Sequence, residues 1–171
     1  MKSLKWFLYK KQLIKDQTAK NLSAAYSEKA RTNIVTMELL SKAPKHKDVL
    51  ELPEDYDSSE WVIIAAYYAM YLAALSILVK IEFRSKNHSA TIKALEEFFV
   101  KKKLLDKKYL ESLEKVKLNK EELGELTKAK DRREIAQYSV TKKTSEDLAE
   151  ESKKEAHKFV DKMEELNDLL E

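Results

Sequence analysis

Polar and apolar positions alternate along most of the chain with the spacing of a helix, and one stretch breaks the pattern. From residue 3 to 43, Leu4, Phe7, Leu8, Ile14, Leu22, Ala25, Tyr26, Ala30, Ile34, Met37 and Leu40 recur at intervals that predict one long helix or two. Between Trp61 and Val79 the sequence then runs nineteen residues without a charge. A helix apolar on every side has to be covered, by protein or by lipid. Ile92, Leu95, Phe98 and Phe99 predict a further helix, capped by Asn87 or Ser89 and ending at Val100. Tyr109, Leu110, Leu113 and Val116 mark a short helix after Asp106. Asn119, with Glu122 three residues on and Leu118 facing Leu123, has the form of a capping box with a hydrophobic staple and predicts a new helix start. Leu148, Ala149, Ser152, Ala156, Phe159, Val160, Met163, Leu166 and Leu170 set out the inward stripe of a last helix to Glu171, about 40 Å long at 1.5 Å per residue.

Both prolines, Pro44 and Pro53, fall between Ala43 and Asp57, which makes that segment the longest loop. Asp57 and Glu60 open the uncharged helix, expected over 58 to 83, and residues 84 to 89 break it. The helix is long enough to span a bilayer. Its five alanines keep it only moderately apolar, however, and Tyr67, Tyr68 and Tyr71 lie mid-segment rather than at the ends where a span carries its aromatics. The amphipathic flanks also need a partner. It is therefore expected to be the central helix of a soluble bundle, with no membrane involved.

With 171 residues, one Gly and two Pro, the chain lacks the turn-formers of a β-sandwich or barrel, and the expected class is all-α in a single domain over 1–171. There is no Cys, and His46, His88 and His157 are too far apart for a paired ligand motif, so disulfides and zinc chemistry drop out and no cofactor is expected. The lone Gly124 rules out a glycine-rich phosphate loop. A balance of 33 basic against 30 acidic residues does not by itself announce nucleic acid. The N-terminus lacks the form of a signal peptide, so the cytoplasm is expected, and abundant Lys and Glu with little Gly or Gln would suit a thermophile.

One polar oddity stands on the stripe Leu123, Leu126, Ala129: its next inward position is Arg133, flanked by Arg132 and Lys130. A guanidinium facing a core needs a carboxylate, carbonyls or a ligand phosphate. Tyr67, Tyr68 and Tyr71 have two readings as well. They form either a stacking wall for a base or a set of core and dimer-interface aromatics whose hydroxyls reach polar partners such as Arg133. The lysine run 101 to 103 reads as a solvated helix end, His157 as a surface residue, and His88 as a helix-start residue that caps or packs.

Residues 60 to 74 (EWVIIAAYYAMYLAA), 86 to 89 (KNHS), 98 to 105 (FFVKKKLL) and 132 to 138 (RREIAQY), in that order, resemble the HEPN superfamily of nucleotide-binding helical domains, in a prokaryotic branch with a YYAM-type helix. The resemblance covers about 20 to 140 and implies an antiparallel four- or five-helix bundle that commonly dimerises. Here it would carry an additional N-terminal helix and a long C-terminal helix, 141 to 171, packed on the core. Many members are metal-independent ribonucleases of toxin systems, which carry Arg, four to six intervening residues and then His. Others are non-catalytic partners of a small nucleotidyltransferase, or bind nucleotides or RNA. Position 137 is Gln and 138 is Tyr, and no His lies between 89 and 156. Cleavage through a ribose 2′-hydroxyl needs a group that trades protons near neutrality, which Gln cannot do. The resemblance then implies a homodimeric nucleotide- or RNA-binding or partner protein of a toxin-antitoxin-type system, without chemistry of its own. Its ligand-binding candidates are Arg132, Arg133, Lys130, Tyr67, Tyr68 and Lys86. The alternatives are an endoribonuclease using Arg133 with Tyr138 or His88, and a structural helical adaptor.

Overall fold

A helix with no polar face is stable in water only when other helices lie over it, and the uncharged segment is covered in that way. The structure is a computed structural model describing residues 2–131 and 145–170, with side chains for all but 122–131. Its described part holds six helices: α1 (Leu4–Tyr9), α2 (Ser23–Lys42), α3 (Ser59–Lys80), α4 (His88–Leu95), α5 (Lys108–Asp131) and α6 (Ser145–Leu169). Two short strands, β1 (Leu13–Lys15) and β2 (Phe83–Ser85), complete it. The class is all-α, a helical bundle with α3 at its centre. α2 and α6 cover most of α3, and α5 and α4 lie along its remaining sides. Ile63, Ala66, Met70, Ala74, Ile77 and Leu78 have no exposure at all. Each fully buried Ile, Leu or Met side chain among them contributes on the order of 1.5–3 kcal/mol. α3 is also the one helix among the described residues long and apolar enough to cross a membrane, and most of it is buried inside the bundle.

α6 lies as its stripe foretold, with Leu148, Ala149, Ser152, Ala156, Phe159, Val160, Met163 and Leu166 all buried. Arg31 on α2 clasps it from outside: Nε donates to Glu164 Oε1 at 2.6 Å and Nη2 to Asp161 Oδ1 at 2.7 Å. These carboxylates, Glu164 foremost, hold the guanidinium even more firmly protonated than usual. His157 Nε2 pairs with Glu38 at 2.8 Å on the surface.

Residues 3 to 43 hold two helices, the second of the two expected arrangements, parted where Lys11 adopts a left-handed φ of 51° and the chain runs extended as β1 before α2. Two expectations were wrong. The uncharged helix stops at Lys80, three residues early, because Glu82 takes φ 64° and turns the chain into β2. β1 and β2 pair antiparallel, Leu13 with Ser85, Ile14 with Arg84 and Lys15 with Phe83. Each strand has only three residues, too few for alternation to show in the sequence.

The second error is larger. The expected helix start at Asn119 does not exist, for α5 is unbroken from Lys108 to Asp131. Leu110, Leu113 and Val116 continue onto Asn119 as one buried face toward α6. Asn119 Nδ2 donates to Ser152 Oγ at 3.1 Å, so its amide bonds a neighbouring helix rather than capping its own. A cap motif is a local signal, and packing along a longer stripe overrides it.

α4 begins as foreseen, with Asn87 Oδ1 accepting from Ala90 N at 2.9 Å. It then widens into one π turn over Glu96–Val100. The extra residue lets both phenylalanines serve packing: Phe99 is buried, and the Phe98 ring sits 4.6 Å from that of Phe83. The lysines at 101 to 103 are exposed.

Candidate functional site

The tyrosines of α3 divide according to the face each one occupies. Successive helical residues are turned by about 100°. Tyr67 therefore faces α4 and α5 and is 8% exposed, whereas Tyr68 faces outward and is 44% exposed. Tyr71, one turn beyond Tyr67, is half-buried and stacks on it, with centroids 5.8 Å apart and planes at 7°. The expectation of core aromatics describes Tyr67 and the expectation of an available ring describes Tyr68.

His88 opens α4 and is held there because Asn87 caps the helix behind it. Its ring stacks beside Tyr67 at 5.9 Å and Tyr71 at 6.3 Å. Burial, then the nearby Lys117, pushes its pKa down to about 4, with Glu121 opposing and Lys120 adding to the fall. The imidazole is thus neutral at pH 7. Burial, with Tyr71, Tyr68 and Glu121 adding smaller pushes in the same direction, raises the Tyr67 phenol to about 12, so it is protonated. Tyr67 Oη lies 3.4 Å from His88 Nδ1. Across this long contact the phenol donates to Nδ1 or an Nδ1–H donates to the phenol oxygen, according to the imidazole tautomer. Nε2 is buried without a hydrogen-bond partner among the described residues. His88 packs, as expected, and is poorly placed to exchange protons near neutrality.

α5 supplies the cations. Lys120 Nζ stands 4.4 Å from the Tyr67 centroid and 5.2 Å from that of Tyr68, within cation–π range of both. Lys117 is paired with Glu121 at 3.2 Å. Lys117 and Lys120 were not among the residues singled out from the sequence. A helix wrongly broken at Asn119 hides them, whereas an unbroken α5 sets both on one flank of its buried stripe.

On the outer face of α3, Trp61, Ile64, Tyr68 and Leu72 follow one another at helical spacing, with Trp61 and Tyr68 exposed and the other two half-buried. Three tyrosines, a histidine and Lys120 are thereby brought together, with the Tyr68 ring open to solvent. Such a face can stack a planar group and hold an anion beside it. Lys86 is not part of it; it lines a separate cavity beneath the β1–β2 ribbon. Lys130 lies on the last turn of α5, where side chains are not described, and Arg132, Arg133 and Tyr138 lie outside the described residues. Among the described residues no three His, Asp or Glu are grouped to hold a metal.

Residues 36–166, from the middle of α2 into α6, match the family model described as HEPN domain. No curated protein and no solved structure matches the chain.

Proposed function

Because the chain belongs to the HEPN domain family, we propose that it binds a nucleotide or a short run of single-stranded RNA on the outer face of α3, without cleaving it. Tyr68 carries this reading: the residue is 44% exposed on the outer face of a helix most of which is packed away, and Lys120 Nζ stands 5.2 Å from its ring. An accessible aromatic ring offers a base a stacking surface worth about 1–3 kcal/mol. The adjacent ammonium offers the phosphate a counter-charge. Against cleavage stand the two proton-bearing groups nearest that ring. His88 is neutral with its pKa near 4 and Tyr67 is protonated with its pKa near 12, so neither exchanges protons readily at neutral pH.

The setting belongs to the same proposal. The protein acts as a cytoplasmic homodimer beside a small nucleotidyltransferase in a toxin-antitoxin-type pair. Support for that pairing is the sequence resemblance, and co-purification with such a protein tests it.

The binding proposal is tested by titrating fluorescent single-stranded RNA and mononucleotides with pure protein in EDTA. Wild type binds saturably and leaves the RNA intact. Tyr68→Ala weakens binding about tenfold, the loss of one stack. Lys120→Gln weakens it and flattens its salt dependence. Absence of any binding overturns the proposal. RNA cleavage that disappears in His88→Ala or Arg133→Ala replaces it with the endoribonuclease reading.

A further inference from the structure

The β1–β2 ribbon roofs a cavity of about 390 Å³ that the function proposed above does not use. Leu75 and Val79, two and three turns beyond Tyr68 on the outer stripe of α3, line it and are 8% and 2% exposed. Tyr26 of α2 and Ile14 of β1, both half-buried, add an aromatic and an aliphatic wall. Asp16, Arg84 and Lys86 supply its charges. Ile14 and Arg84 are direct cross-strand partners, so the antiparallel register itself sets a cation beside an apolar side chain.

The charges are unequally committed. Asp16 Oδ1 accepts from Thr18 N at 3.0 Å and from Thr18 Oγ1 at 2.6 Å. Its Oδ2 accepts from Arg84 Nη1 at 3.3 Å, and the Thr18 hydroxyl foremost holds the carboxyl below the usual carboxylate range. Arg84 is thus tethered at one nitrogen by a long bond, and its Nε and Nη2 have no partner among the described residues. The Lys86 ammonium is exposed and unpaired among the same residues. Two cations, one of them a guanidinium with most of its fork available, stand over an apolar and aromatic interior. The volume falls within the roughly 300–1,000 Å³ of small-molecule sites.

We propose that this cavity binds a small organic anion, with a phosphate or carboxylate head held by Arg84 and Lys86 and a flat apolar body against Tyr26, Leu75 and Val79. A guanidinium matches either head with two parallel hydrogen bonds, and desolvation of the apolar interior rewards the body. An inorganic ion would forgo the second term and a neutral molecule the first. The site is separate from the Tyr68 face, so failure of either leaves the other standing.

The full chain is titrated with adenosine 5′-monophosphate, phenyl phosphate, indole-3-acetate, adenosine and inorganic phosphate. Calorimetry gives affinity and amide NMR shifts give location. At least one of the three organic anions binds saturably, with shifts at 13–16 and 83–86. Whether the phosphates or the carboxylate bind identifies the head group. Adenosine and inorganic phosphate bind at least about tenfold more weakly. Arg84→Gln and Lys86→Gln each lose about tenfold, the scale of one charge-assisted hydrogen bond. Both are exposed positions, and unchanged thermal unfolding shows that the variants fold. Tyr68→Ala leaves this affinity unchanged. Absence of saturable binding by every organic anion overturns the proposal, as does inorganic phosphate binding equally well. Indifference to both substitutions, or shifts confined to the surroundings of Tyr68, overturns it too.

Discussion

Tyr67 and Tyr68 are adjacent, chemically identical and on the same helix, yet one is a core residue and the other a surface. Tyr67 stacks on Tyr71, meets His88 and is held protonated by its burial. Tyr68 shares Lys120 with it but keeps its ring open. The difference arises from the 100° step of the helix set against where α2, α4, α5 and α6 lie around it. A helix apolar on all sides has no inward face of its own, so its neighbours choose which residues become interior. Whichever apolar side chains they leave uncovered are then available for ligands.

The contrast between the two faces can be broken most forcefully from inside. Met70 has no exposure, and Met70→Ala is expected to cost about 2–5 kcal/mol in urea unfolding, through lost burial and the cavity left behind. A loss below about 1 kcal/mol would mean that the inner face of α3 is not the core.

Next comes His88, which lies on the boundary between the two faces. Its folded pKa near 4 lies below the ordinary 6.5, so between those values the unfolded chain takes up a proton that the folded chain refuses. Stability is unaffected above about pH 6.5 and falls as pH drops toward 4. The fall is about 1–2 kcal/mol after discounting for partial solvent access to the ring. Tyr67 and Tyr71 pack the ring from α3, while Lys117, Lys120 and Glu121 act on it from α5. Since carboxylates titrate nearby, the measurement is the difference in slope between wild type and His88→Phe. Equal slopes would show that the imidazole is not shielded.

Ser152→Ala removes the acceptor of the buried Asn119 amide and is expected to cost about 1–2 kcal/mol. Pairing it with Asn119→Leu should recover part of that loss, since no amide is then stranded. If Asn119 were a cap near solvent, Ser152→Ala would be silent.

Smallest for stability is Tyr68→Ala, within about 0.5 kcal/mol by thermal unfolding. The same substitution removes the stacking surface, so a variant that keeps its stability and loses nucleotide binding would separate the two tyrosines cleanly.

Much of the bundle was legible in the residues. The stripe of α6 from Leu148 to Leu166, the cap at Asn87 and the burial of the uncharged segment all follow from spacing and side-chain chemistry over a few turns. Asn119 misled because a capping box is read from four residues, while the face from Leu110 to Asn119 that overrides it is read against α6, with the partner Ser152 more than thirty residues away. The ribbon was invisible for a related reason. Three-residue strands carry no periodicity, and Leu13 and Ser85 meet only because the turns at Lys11 and Glu82 aim them at each other. Of the candidate site, Tyr67, Tyr68 and His88 were named from the sequence, whereas Lys117 and Lys120 needed the continuous α5.

The sequence by itself determined that this chain is helical, that residues 61 to 79 must be covered, and that disulfide and thiolate chemistry are absent, since these depend on composition and local periodicity. Only the tertiary structure decided which tyrosine is open, why His88 is neutral and where Arg84 and Lys86 meet an apolar cavity. Exposure and pKa are set by what lies across a contact, and those neighbours come from distant parts of the chain.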